Sequence, residues 1–193
     1  MRIIGITGGV GSGKSRILSH LNDKYDAFVC QADEVAWKFQ EPGQDSYHEI
    51  VKYFGNCILN EDETINRKEL GKIVFSDESK MKRLNQIIHP RVKDYIKKQI
   101  EIEKEKGTNI FVIEAALLLE DNYDEICTEI WYIFVNELER RKRLKESRGY
   151  SDEKINAIMK TQLSEDVFKE KCNVVLDNSR DFSYTCEQIK EYM

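Results

Sequence analysis

The residues with the clearest chemical potential lie near the N-terminus, in the segment Gly8-Gly9-Val10-Gly11-Ser12-Gly13-Lys14-Ser15. This segment matches G-x-x-x-x-G-K-[ST] at every fixed position and stands between a strand-like apolar run and a helical pattern. Inward-facing backbone N–H groups and the N-terminus of the following helix form a cradle for a polyphosphate. Lys14 is expected to reach the β- and γ-phosphates and Ser15 to hold Mg²⁺. The sequence therefore predicts a nucleotide-binding site.

Two carboxylates follow predicted strands at the sheet edge that faces this loop. Asp33 comes just after the second strand, where it could accept the proton of an attacking hydroxyl. The alternative is that Asp33 is only the N-cap of the next helix. Glu114 ends the third strand, where it could bind the hydration shell of Mg²⁺, and its alternative is a helix or turn cap.

Four arginines lie close together beyond the fourth strand, at Arg140, Arg141, Arg143 and Arg148. Such a run is commonly a solvated helix face, but above a phosphate site its members become candidates for clamping a phosphoryl group. His89-Pro90 interrupts a long helical pattern and is a candidate site feature; the alternative is that the proline only kinks the helix or starts a new one, with His89 merely packed. Neither Asn-Lys-x-Asp nor Asp-x-x-Gly occurs, which argues against a regulatory GTPase.

The elements that must position these residues are short apolar strands separated by helical patterns. The strands are predicted at 2–7, 27–30, 109–113, 130–135 and 173–176. This alternation predicts a doubly wound α/β fold with a parallel five-stranded sheet. The eighty-residue gap after the second strand holds only helical patterns, so we predict an inserted helical lobe. A second helical excursion starts at Asn136, turns at Gly149 and restarts at Ser151.

Composition narrows the class of protein. The chain has 193 residues, 40% of them hydrophobic, and a formal net charge of −5. Its hydrophobic content argues against disorder, and its mild acidity argues against a dedicated nucleic-acid binder. No apolar stretch is long enough to cross a membrane, and the start shows no signal-peptide core. Five cysteines without a Cys-x-x-Cys pair favour reduced thiols, and therefore a cytoplasmic location.

Taken together, these positions resemble the dephospho-coenzyme A kinases over nearly the whole chain. The resemblance is carried by the phosphate loop, Ala32-Asp33, Glu41-Pro42-Gly43, the segments 67–75 and 84–90, Ala116-Leu117-Leu118-Leu119-Glu120, 143–162 and Val175-Leu176-Asp177-Asn178. It implies a P-loop nucleoside-kinase-like fold. The nucleotide-binding core would comprise 1–32, 106–138 and 164–193, the helical dephospho-CoA lobe 33–105, and a helical lid 139–163.

The resemblance also implies the reaction, in which ATP and 3′-dephospho-CoA give ADP and CoA with the help of Mg²⁺. The implied catalytic residues are Asp33, Lys14 and Arg143, and the implied metal residues are Ser15 and, through water, Glu114. Asp33 and His89 would bind dephospho-CoA. ATP would be bound by Gly11, Ser12, Gly13, Lys14, Ser15, Arg16 and Asn178. The alternative is another P-loop small-molecule kinase, such as a nucleoside monophosphate kinase.

Four positions depart from the pattern that the resemblance rests on. Arg16 stands where threonine is common, Glu114 where aspartate is common, and Ala116 where proline is usual. Ser147 stands where a second lid arginine is often found. It therefore stays open whether Arg140, Arg141 or Arg148 supplies the second cation, and the oligomeric state is open as well.

Overall fold

The computed structural model describes residues 1–193 and is built around a parallel sheet of five strands. The strands are β1 (Arg2–Thr7), β2 (Phe28–Gln31), β3 (Ile110–Glu114), β4 (Glu129–Phe134) and β5 (Val174–Asp177). Their order across the sheet is β2-β3-β1-β4-β5, so β1 is the central strand. β1 is parallel to β3 and β4, and β4 is parallel to β5. The predicted doubly wound α/β fold is confirmed.

Nine α-helices surround and extend the sheet. They are α1 (Lys14–Tyr25), α2 (Ala32–Lys38), α3 (Asp45–Phe54), α4 (Arg67–Phe75), α5 (Glu78–Glu105), α6 (Glu137–Arg148), α7 (Asp152–Lys160), α8 (Glu165–Lys171) and α9 (Phe182–Tyr192). Asn136 and Ser151 accept backbone N–H groups at the starts of α6 and α7, as their sequence contexts predict. Gly149 ends α6 with φ 60°. No helix of this set combines the length and the apolar character needed to cross a membrane.

The chain divides into two compact units, and the first comprises Met1–Cys30 and Glu103–Met193. Its core is formed where α1 and α9 cover the sheet. Ile4 and Ile6 of β1 and Trp131 of β4 are fully buried there, and Ile17 and Leu21 of α1 pack in the same cluster. Because α1 follows the phosphate loop directly, this apolar packing fixes the helix whose N-terminus completes the loop.

The second unit, Gln31–Ile102, is helical. It contains α2 to α4, most of α5 and a short 3₁₀ turn at Asn56–Ile58. Phe39 meets Tyr95 edge to face with ring centroids 6.2 Å apart, which joins the end of α2 to α5. The helical content expected between β2 and β3 is therefore observed, while the division into a core, a lobe at 33–105 and a lid at 139–163 stays a prediction.

Helix α5 continues through Pro90, so no new helix starts at His89-Pro90, while a kink at the proline stays a prediction. Proline removes one backbone donor from a helix interior. Close by, the Arg91 guanidinium donates to the Ile87 carbonyl at 2.6 Å and to Glu49 Oε1 at 2.5 Å. Ile87 before the proline and Val92 after it are both buried. This packing, together with the Arg91 hydrogen bonds, keeps α5 a single helix across the proline.

Two partly buried thiols, Cys127 and Cys172, are expected to weaken the fold at alkaline pH. Burial raises the pKa of Cys127 to about 12 and that of Cys172 to about 11. The unfolded thiols ionise near pH 8.5, so between about pH 9 and pH 11 it is mainly the unfolded state that loses these protons. The free energy of unfolding, measured by urea denaturation, should therefore fall as the pH rises through this range.

The matched pair for this measurement is Cys127→Ala and Cys57→Ala, because Cys57 is exposed. Removing the Cys127 thiol should flatten the dependence of the unfolding free energy on pH above pH 9. Removing the Cys57 thiol should leave that dependence as it is in the parent chain. If the unfolding free energy fell equally with pH in both variants and in the parent chain, the Cys127 thiol would not cause the alkaline destabilisation.

Candidate active site

The phosphate loop forms the turn between β1 and α1. Gly13, the last residue before α1, has φ 86° and ψ 22°, a left-handed conformation that favours glycine. A Cβ at Gly13 would lie 2.5 Å from Asn178 Nδ2, which donates to the Ser12 carbonyl at 2.8 Å. Glycine is therefore required here both by the backbone and by the close approach of Asn178.

Lys14 is the first residue of α1, and its ammonium folds back over the loop. Nζ donates to the Gly8 carbonyl at 2.8 Å and lies 3.6 Å from Glu114 Oε1. Glu114 is in register with Ile6 of β1, so the ends of two adjacent strands bring the pair together. A polyphosphate in the loop would offer Lys14 stronger, charged acceptors than the Gly8 carbonyl. The structure thus joins two predicted site residues, Lys14 and Glu114.

Two buried hydroxyls next to the loop have no hydrogen-bond partner. They are Thr7 Oγ1, at the end of β1, and Ser12 Oγ, inside the loop. Thr7 is fully buried and Ser12 is 2% exposed. An unsatisfied buried hydroxyl costs about 1–3 kcal/mol, and a ligand or water in the loop would supply the missing partner. The loop is therefore suited to an oxygen-rich ligand such as a polyphosphate.

The residues that could hold Mg²⁺ are Ser15 and Glu114. Ser15 lies exposed in the first turn of α1, and Glu114 lies beside Lys14. No group of three or more His, Cys, Asp or Glu side chains is arranged to hold a metal ion. This donor set fits Mg²⁺, which commonly keeps several waters and binds through few protein groups and substrate phosphates.

A cavity of about 500 Å³ opens beside the start of α1. It is lined by Arg16, Glu139, Lys142, Arg143, Ser179, Arg180, Asp181 and Phe182. Four of these residues are cationic and two are acidic, so the lining is suited to an anion. Arg143 Nε donates to Glu139 Oε1 at 2.9 Å, and Nη1 lies 3.7 Å from the position of a Cβ on Gly13. Arg143 therefore reaches the end of the loop where α1 begins.

Arg16 contributes to the same cavity through its side chain. Its guanidinium carbon lies 4.1 Å above the centroid of the Phe182 ring, a cation–π contact between α1 and α9. The backbone N–H of Arg16 donates to the Gly13 carbonyl at 3.2 Å. The nucleotide-binding role predicted for Arg16 stays a prediction.

Asn178 supports the loop from β5. It is 4% exposed, donates to the Ser12 carbonyl at 2.8 Å and accepts a hydrogen bond from Thr185 Oγ1 at 2.8 Å. The predicted position beside the adenine or ribose of ATP stays a prediction, but the observed contacts make Asn178 a support of the loop. Sequence reasoning missed Thr185, because a threonine inside α9 carries no signal of this long-range contact.

Two predicted site residues, Asp33 and His89, belong to the helical unit. Asp33 is exposed in the first turn of α2, and the N-cap of that helix is Gln31. The alternative reading of Asp33 as the N-cap is therefore wrong. His89 is half-buried within α5. Their roles toward the substrate stay predictions.

The phosphate loop follows the central strand of a parallel sheet. A lysine–carboxylate pair lies at this loop, and a later helix supplies arginines. These features define the class of phosphate-loop kinases. Within this class the chain belongs to the dephospho-CoA kinase family, whose model, "Dephospho-CoA kinase", matches residues 2–183. The resemblance seen in the motifs is therefore confirmed.

Individual relatives agree with this membership. The chain is 34% identical over 186 residues to a dephospho-CoA kinase of Shouchella clausii, covering 96% of this chain and 94% of the relative. It is 35% identical over 192 residues to a dephospho-CoA kinase of Listeria innocua, covering 100% of this chain and 96% of the relative. The solved structure of a dephospho-CoA kinase from Campylobacter jejuni has the same fold, with a TM-score of 0.72 and 22% sequence identity. The match covers 100% of this chain and 98% of that one.

Proposed function

We propose that this protein transfers the γ-phosphate of ATP to the 3′-hydroxyl of dephospho-CoA, giving ADP and CoA. The observation that carries the proposal is the phosphate loop of a dephospho-CoA kinase family member, in which the Lys14 ammonium lies between the Gly8 carbonyl and Glu114. Family membership favours this acceptor over the nucleoside monophosphate of the alternative kinase.

In the proposed reaction the 3′-oxygen of dephospho-CoA attacks the γ-phosphorus of ATP. A bond forms between these two atoms, and the bond from the γ-phosphorus to the β,γ-bridging oxygen breaks. The hydroxyl proton passes to the Asp33 carboxylate, and the bridging oxygen leaves on ADP. Asp33 suits this role because it is exposed and follows β2 at the carboxyl end of the strand, the edge where open α/β sheets bind ligands.

The remaining predicted residues act by charge and position. Lys14 would bind the β- and γ-phosphates, and Arg143 would approach the phosphates from α6. Ser15 and, through water, Glu114 would hold Mg²⁺. When bound, this ion would neutralise part of the phosphate charge. His89 would help the helical unit to bind dephospho-CoA, and Asn178 would keep the loop in its binding conformation.

We further propose that the reaction takes place in the cytoplasm. All five cysteines are free thiols, and a reducing compartment keeps thiols in that state. ATP and dephospho-CoA, its small-molecule partners in this proposal, are both polyanions that suit a cationic cavity.

The proposal is tested by ADP release from ATP and Mg²⁺ with and without dephospho-CoA, with adenosine, AMP, shikimate and pantothenate as control acceptors. We expect ADP release to depend on dephospho-CoA and to yield CoA. Lys14→Ala should lower the rate by about 10²-fold or more, because it removes the charge at the β- and γ-phosphates.

The control acceptors distinguish the remaining possibilities. Release stimulated by AMP rather than dephospho-CoA would support the nucleoside monophosphate kinase alternative. Slow release indifferent to every acceptor would contradict a kinase function for the site as a whole.

A further inference from the structure

Arg140, in the first turn of α6, lies directly against the phosphate loop. Its Nε donates to the Val10 carbonyl at 2.8 Å, and its Nη2 donates to Gln162 Oε1. A Cβ at Gly9 would overlap the guanidinium group, so a side chain at residue 9 would force the guanidinium to shift. Lys14 Nζ is bonded to the Gly8 carbonyl of the same loop. Two cations therefore approach three consecutive loop residues.

The charge of Arg140 is not neutralised by a carboxylate. Arg141 is paired with Glu137 at 2.7 Å and Arg143 with Glu139 at 2.9 Å, whereas no acidic oxygen lies within 4.0 Å of the Arg140 nitrogens. The charged or titratable groups that influence it are Tyr132, Glu137 and Glu165, and burial lowers the pKa of Arg140 below its ordinary value. A half-buried cation without a counter-charge favours an anionic ligand.

The other two candidates for the second cation, Arg141 and Arg148, have surroundings that differ from those of Arg140. Arg141 is held by Glu137 and by Asn156 Oδ1, and it lies 3.8 Å from Asp152. Arg148 is exposed at the end of α6, and its charge helps to lower the pKa of Tyr150. Neither arginine contacts the phosphate loop, and the partners of Arg141 lie in α6 and α7.

From these contacts we propose that Arg140 binds the terminal phosphate of ATP and supplies the second cation of the phosphate site. Lys14 serves the β- and γ-phosphates, and Arg140 lies against Gly9 and Val10 of the same loop. The two observed hydrogen bonds leave further guanidinium donors for phosphate oxygens. Gln162 holds the side chain in this position. The inference rests on the nucleotide-binding half of the proposed function and is independent of the acceptor.

The test compares the affinities of the protein for ADP and for a non-hydrolysable ATP analogue, with Mg²⁺ and without acceptor, by calorimetric titration. Arg140→Gln should weaken binding of the ATP analogue about tenfold more than binding of ADP, because only the former carries the terminal phosphate. Arg140→Lys, which keeps the charge, should recover most of the preference for the ATP analogue. Thermal unfolding of each variant checks that the fold is intact.

The matched control is Arg141→Gln, which removes the neighbouring, carboxylate-paired arginine and should leave both affinities unchanged. Equal weakening of ADP and ATP-analogue binding in Arg140→Gln would make Arg140 a brace of the loop and overturn the proposal. So would unchanged binding of both nucleotides. Because no acceptor is present, these outcomes do not depend on whether dephospho-CoA is the substrate.

Discussion

Replacing Asp33 by asparagine is expected to preserve ATP binding and to lower kcat by about 10²–10⁴-fold, the usual contribution of a general base. Asparagine has nearly the same shape, but its amide cannot take the proton of the attacking hydroxyl. Asp33 is exposed in the first turn of α2 and is not the helix cap, so the substitution should leave the fold intact. The measurements are kcat with dephospho-CoA and the Kd for ATP.

Glu34 is the matched control for this experiment, because it is the other exposed carboxylate in the first turn of α2. Glu34→Gln removes the same charge from the same helix terminus and should keep kcat near that of the parent chain. If Asp33→Asn turned over at a rate close to the parent's, Asp33 would not be the base. Equal losses in both variants would assign the effect to helix electrostatics instead.

For Arg143→Ala the expected loss of kcat is about 10³-fold or more, by analogy with arginines that stabilise the transferring phosphoryl group in other phosphate-loop enzymes. The guanidinium reaches the end of the loop at Gly13 and is oriented by Glu139 at 2.9 Å. Charge on the phosphoryl oxygens is spread widely in the transition state, so kcat should fall more than ATP affinity. Steady-state kinetics and ATP titration separate the two quantities.

Lys145→Ala provides the comparison, since Lys145 lies on the same helix but is exposed and paired with Asp152 at 2.8 Å. Its removal should change kcat little, because exposed ion pairs contribute little. A loss at Arg143 much smaller than a thousandfold would move the catalytic role to Arg140 or Arg148.

The alternation of strands and helices could be predicted because each strand is a short apolar run between helical patterns. The predicted and observed strands differ by at most one residue at their ends, as at β3, predicted at 109–113 and found at Ile110–Glu114. The continuity of α5 through Pro90 has a physical cause that the sequence alone does not show. The penalty of a proline is local, but the packing of Ile87 and Val92 and the hydrogen bonds of Arg91 depend on the folded chain.

Some features of the candidate site could likewise be predicted from the sequence, and others could not. The phosphate loop is a continuous segment, so its geometry was predictable from spacing alone, and the Lys14–Glu114 pair follows from the adjacency of parallel strands. Thr185 and the contact of Arg140 with Val10 join residues far apart in the chain. The arginine run offered several candidates without a distance to choose between them.

The bond from Asn178 to the Ser12 carbonyl has a consequence for the order of events during synthesis. The two residues are 166 positions apart, and Asn178 follows the last strand. A nascent chain therefore makes its nucleotide loop first but receives the support of that loop last. Closing so long a loop is entropically costly, and it becomes favourable only when β5 joins β4. Synthesis must accordingly have passed Asn178 before the loop gains this support.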